Sequence, residues 1–166
     1  MGDFEKSFQH TIMMEGGYSN NKKDKGGKTM YGITERVARQ SGYDGDMKDL
    51  SLNKAKEIYK KWYWNPNKLD DIKNDDVATE IFDTGVNMGI GIASRFMQES
   101  VNLIDYKNKI VIDGKVGSKT IKAVNKQDPY FLLKALNGLQ FMRYYRIVEN
   151  NPDQEIFFKG WLRRID

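Results

Sequence analysis

Hydrophobic and polar positions follow helical spacing over most of the chain. Phe4, Phe8 and Ile12 recur every four residues after a capping Asp3, which predicts an amphipathic helix of about three turns. Its stripe ends on Glu15, just before Gly16-Gly17. Gly26, Gly27 and Gly32 then break a run containing Thr29, Met30, Tyr31 and Ile33, the pattern of a tight turn or small hairpin. Thr34 is placed to cap a short helix that breaks at Ser41-Gly42, and a polar loop runs on to Asp49. Ser51 caps a helix with Ala55, Ile58, Tyr59 and Trp62 on one side, stopped before Asn65-Pro66. A polar link from Asn67 to Asp75 leads to a helix with Val77, Ile81, Gly85 and Met88 on its apolar face. Asp76, Glu80, Asp83 and Asn87 fall on another face, usually a wet one.

After Gly89-Ile90-Gly91, a helix through Leu103 turns Ile92 and Phe96 inward. A connection from Asp105 to Val116 follows, and Ser118 is placed to cap the next helix. Asp128-Pro129 opens the longest helix, an N-cap followed by proline at the first helical position. Its apolar residues, from Phe131 to Val148, spread around most of its circumference, so it is the expected central, buried helix. A last helix ending in Gly160-Trp161-Leu162-Arg163 is expected to close the core. The fold class this predicts is mainly α: a helical bundle around a long central helix, with a small β-hairpin near the candidate acids. Residues 1–90 and 91–166 are expected as two lobes packed into the same compact domain.

Glu15 is an odd residue on an apolar stripe. Burial and the negative end of the helix dipole both disfavour its ionised form, which suits a general acid that protonates a leaving oxygen. Asp24 follows nine residues later on the glycine-rich segment, and two carboxyls facing one cleft are the minimum equipment for splitting a glycosidic bond. A frayed helix end would also account for Glu15, and ordinary turn chemistry for Asp24. Asp83 is the reserve candidate for the second carboxylate. Arg143 and Arg146 on the long helix need partners, and Arg143 is expected to pair with Asp83.

Composition narrows the chemistry further. The 166 residues contain no cysteine and a single histidine, His10, which lies off the first apolar stripe and reads as a solvated surface residue. A thiol peptidase needs a Cys-His pair, and a zinc amidase needs several His or Cys ligands, so carboxylate chemistry remains; no metal or other cofactor is expected. The net charge of +4 and pI near 9.1 favour an anionic partner, and Lys22, Lys23, Lys25 and Lys28 cluster beside the proposed cleft. Nucleic-acid binding would rest on that modest charge alone and is not expected. With 39% hydrophobic residues and no apolar run of membrane-spanning length, stable membrane insertion is not expected either. The N-terminus shows no secretory h-region, so synthesis in the cytoplasm and delivery to the cell wall or periplasm by a separate export or holin-type release are expected, with the chain as a monomer.

Glu15-Gly16-Gly17-Tyr18 and the run from Asp24 to Thr34, D-x-G-G-x-T-x-x-G-I-T, resemble glycoside hydrolase family 108, the lysozyme-like N-acetylmuramidases of phages and bacteria. Ala55 to Trp64 is similar to that family's A-x-x-I-Y-x-x-x-Y-W, and Phe82 to Gly89 to its F-D-x-x-V-N-x-G. Asp113 to Thr120 looks like the D-G-x-x-G-x-x-T of a peptidoglycan-binding-like C-terminal half, and Phe157 to Arg163 like the closing F-x-x-G-W-x-x-R. The Glu-to-Asp spacing also resembles phage-type lysozymes, whose threonine comes one position later than Thr29. The resemblance implies a lysozyme-like fold and a bacteriolytic, endolysin-type peptidoglycan hydrolase from a phage or prophage. It implies Glu15 as catalytic acid, with Asp24 beside it, and Tyr18, Thr29, Tyr31, Asp83 and Asn87 around the glycan strand. A lytic transglycosylase on the same bond and a non-catalytic peptidoglycan-binding or secretion-associated protein are the alternatives.

Overall fold

The computed structural model describes residues 1–14, 17–20 and 28–165. Helices dominate: α1 (Phe4–Met14), α2 (Glu35–Gln40), α3 (Leu52–Tyr59), α4 (Asp75–Met88), α5 (Ile90–Ile104), α6 (Ser118–Val124), α7 (Pro129–Asn150) and α8 (Glu155–Trp161). A small antiparallel sheet, β1 (Ser19–Asn20), β2 (Lys28–Met30) and β3 (Ile33–Thr34), lies between α1 and α2 in the chain. The fold is mainly helical, as the periodicity predicts. No described helix is long and apolar enough to cross a membrane.

Local chemistry starts most of the helices. Asp3 Oδ1 accepts the Lys6 amide at 3.1 Å, Thr34 Oγ1 that of Val37 at 3.4 Å, Ser51 Oγ that of Lys54 at 3.1 Å and Asp128 Oδ1 that of Tyr130 at 2.9 Å. Each such cap contributes about 1 kcal/mol by satisfying an orphan donor of the first turn. Asn74 caps α4 in the same way through Val77, at 2.9 Å. Ser118 does not cap α6. It is the first helical residue, Gly117 holds the cap position, and no side chain closes that end.

Five aromatic rings from four segments meet at the centre. Phe4 and Phe8 of α1, Tyr59 at the end of α3, Trp64 in the turn after it, and Phe82 of α4 stack edge to face or tilted, with centroids 5.3 to 6.0 Å apart. Edge-to-face pairs add about 1 kcal/mol each to the burial of their area. Tyr59 and Trp64 share that face because Lys60–Trp64 forms a π-helical turn, in which residue i+5 comes to lie over residue i. The chain therefore does not stop before Asn65-Pro66 but continues as a 3-10 turn, Asn65–Asn67, and reverses at Lys68 with φ 52°. The link that follows is polar only in composition: Leu69 and Ile72 are fully buried, and Trp64 Nε1 donates to Asp70 at 2.9 Å.

The helix enclosed from several sides is α4, which packs against α1, α5 and α7. Its residues Val77, Ala78 and 80–85 are all buried. Gly89, at φ 97°, ends α4 and starts α5, a backbone turn that a side chain would strain. α7 is the longest helix, as expected, but it buries only one stripe, Leu132, Leu136, Asn137, Gln140 and Tyr144. Phe131, Phe141, Met142 and Tyr145 stand exposed on it. No residue of α8 is fully buried; Trp161 closes the end of the bundle by stacking on Tyr144 at 5.3 Å.

Candidate active site

The face of α4 that carries Asp76, Glu80, Asp83 and Asn87 is turned inward over its middle. Gln140 of α7 donates its amide to the Glu80 carboxylate and, at 2.5 Å, to Thr84 Oγ1. Arg164 donates to Asp83 Oδ1 at 2.8 Å, in a pair whose side chains are 10% and 4% exposed. One turn further on, the Tyr144 hydroxyl donates to Asn87 Oδ1 at 2.9 Å. Three side chains from α7 and the C-terminal segment thus hold one polar edge of α4. Lone charges at such depth would be prohibitive, and the specific partners are what make the burial tolerable.

Burial pushes the Tyr144 hydroxyl well above the usual tyrosine range; Asp83 and Glu80 push the same way, while Arg164 opposes them. Tyr144 therefore remains a donor to Asn87 throughout the physiological range. Arg143 does not pair with Asp83 as its place on α7 suggests, and its Nε has no hydrogen-bond partner. Counting out the F-x-x-G-W-x-x-R pattern from Phe157 puts its arginine at 164, not 163, and Arg164 is the residue that reaches Asp83.

On the other side of α1 in the chain, the sheet is built around a two-residue turn. Tyr31 and Gly32, at φ 51° and 73°, connect β2 to β3 as a type I′ hairpin, which demands left-handed backbone at both central positions. A tyrosine there is strained, and its carbonyl is held by the Tyr59 hydroxyl at 2.7 Å. Pairing aligns Ser19 with Thr29 and Thr29 with Thr34, so three hydroxyl residues share one face of the sheet. Met30 and Ile33 pair on the opposite face and pack against the core. Thr29 thus faces away from the core, and Tyr18, beside β1, is exposed.

Glu15 and Asp24 lie outside the described residues, as do Lys22, Lys23 and Lys25. Of the other candidates, Asp83 and Asn87 are brought together, with Arg164 and Tyr144, while Thr29 and Tyr31 belong to the sheet tied to Tyr59. His10 is half-buried rather than solvated. It edges a pocket of about 350 Å³ between α1, α4 and α7 that Glu80, Tyr130 and Asn137 also line. Periodicity grouped the α4 residues but could not name Gln140, Tyr144 or Arg164, which come from 56 to 81 residues away. The described residues contain no cluster of His, Cys, Asp or Glu able to hold a metal ion.

Comparison with known proteins places two families along the chain. Residues 8–89 match the family model Glycosyl hydrolase 108, and residues 92–166 match a Predicted Peptidoglycan domain. Among solved structures, SagA of Brucella abortus is similar at 28% identity with a TM-score of 0.77, covering 98% of this chain and 88% of that one. No curated protein matches the sequence.

Proposed function

We propose that this chain, which belongs to the glycosyl hydrolase 108 family, is an N-acetylmuramidase that cuts the β-1,4 bond between N-acetylmuramic acid and N-acetylglucosamine in peptidoglycan. What carries the reading is one observation: a glycosyl hydrolase domain and a peptidoglycan domain divide nearly the whole chain between them. A module that recognises a polymer beside one that hydrolyses glycosides points to that polymer as the substrate.

Glu15 would protonate the bridging oxygen as the oxocarbenium-like transition state forms, and Asp24 would stabilise the cation or position the attacking water. Asp83 is the weaker claimant for the second role. Its Oδ1 is committed to Arg164 and the residue is 3% exposed, so neither a sugar ring nor a catalytic water has room to approach it. With Asn87, Tyr144 and Arg164 it reads as the frame behind the cleft, and Tyr18, Thr29 and Tyr31 as its opposite wall.

Digestion of purified sacculi in heavy-oxygen water tests this. A hydrolase leaves reducing N-acetylmuramic ends carrying one heavy oxygen, whereas a lytic transglycosylase leaves unlabelled anhydro ends. Asp24→Asn is expected to abolish release and Asp83→Asn to lower stability more than turnover. Binding to sacculi with no soluble fragments from the wild type would refute the enzymatic reading.

A further inference from the structure

A cavity of about 630 Å³ lies in the C-terminal half between α5, the connection after it and the start of α6. Ile110 and Lys119 line both this groove and a second hollow of about 290 Å³ along α6, so the two adjoin. Lys109, Lys115, Lys119, Lys122 and Lys126 edge the combined groove, all exposed. None of the five takes part in a described ion pair.

The acids nearby are spent on the protein itself. Asp113 Oδ1 accepts from Gln98 Nε2 and from the Lys115 amide, both at 2.8 Å, and the Gln98 bond above all holds its carboxyl below the usual range. Gln98 also accepts the amide of Gly114, which turns at φ 72°, so the wall of the groove is fixed by a closed set of bonds. Asp105 is likewise wrapped by the Asn108 amides, at 3.0 to 3.2 Å. What remains facing outward is a row of ammonium groups outside any described ion pair, with Ile110, Val111 and Val116 between them.

We propose that this groove binds the peptide stems of peptidoglycan, its lysines pairing with the stems' free carboxylates and its apolar residues covering their alanine methyls. The proposal rests on the peptidoglycan reading above and adds the part of the polymer that is recognised. An extended peptide alternates small apolar groups with carboxylates, which matches lysines spaced along an aliphatic floor. A glycan strand fits less well, because no aromatic ring is among the described residues lining the groove and sugars bind best against ring faces.

Calorimetric titration of the full chain with an isolated tetrapeptide stem, once with free and once with amidated carboxylates, tests this. The free form is expected to bind, and amidation or the double variant Lys119→Glu/Lys122→Glu to weaken it about tenfold or more, a difference that shrinks as salt screens the charges. Both lysines are exposed, and circular dichroism checks that the variant folds. Equal binding of the two peptides, or an unaffected variant, would overturn the proposal, as would tighter binding of a glycerol-phosphate polymer than of the peptide. In turnover, the variant is expected to raise KM on sacculi with kcat unchanged and to cleave stem-free glycan chains like the wild type. If the wild type cleaves neither substrate, the muramidase reading fails while the titration still decides the groove.

Discussion

α4 and α7 invert what their compositions suggest. α4 carries three carboxylates along one edge and is nonetheless buried through most of its length, whereas α7 has apolar residues around its whole circumference and fully buries only a few of them. The difference lies in partners. α4 has α1, α5 and α7 around it, and its acids meet Gln140 and Arg164; α7 buries one stripe against α4 and α5 and meets the short α8 besides. Burial follows how much of an element's surface its neighbours cover, and charge is admitted where a specific donor is waiting.

The largest expected effect attacks the deepest of those pairs. Arg164→Ala leaves Asp83 buried opposite nothing, and a loss of about 3–5 kcal/mol in urea unfolding is expected. The charge-free double variant Asp83→Leu/Arg164→Met should be clearly more stable than the single one. A smaller loss, about 1–3 kcal/mol, is expected for Gln140→Ala, which strips a donor from both Glu80 and Thr84. If that variant unfolds like the wild type, the α4 acids do not depend on α7.

Tyr144→Phe is expected to cost about 1 kcal/mol at neutral pH by removing the bond to Asn87. Its sharper signature is alkaline. Because the folded Tyr144 holds its proton more tightly than the unfolded chain does, that contribution is complete below the ordinary tyrosine pKa and fades as pH rises through the raised folded value. The wild type should therefore lose stability above about pH 10 more steeply than Tyr144→Phe, as followed by melting temperature against pH. At the bottom of the scale, Ile156→Ser on α8, 80% exposed, should move stability by no more than about 0.5 kcal/mol despite removing a large apolar side chain.

The same contrast explains what could be read in advance. Caps at Asp3, Thr34, Ser51 and Asp128, the presence of a small hairpin in the glycine-broken run and the helix periods were legible because each is decided within a few residues. The π turn that swings Trp64 under Tyr59, the burial of Leu69 and Ile72 in a polar-looking link, and the inward face of α4 were not. They depend on segments distant in the chain, and periodicity separates faces without saying which neighbour each face will meet. Arg164 is the instructive case: it is the closing residue of the motif that begins at Phe157, and its role shows only in its pairing with Asp83, far away in the chain. The acids Glu15 and Asp24 came from the sequence alone, through helix position, spacing and resemblance, and they remain the centre of the proposed chemistry.

One comparison tests that centre most directly: release of soluble muropeptides from sacculi by the wild type and by Glu15→Gln, with both proteins' unfolding curves measured alongside. The account predicts reducing-end fragments from the wild type and none from the variant, at closely similar stability. Undiminished release by a folded Glu15→Gln protein would contradict it.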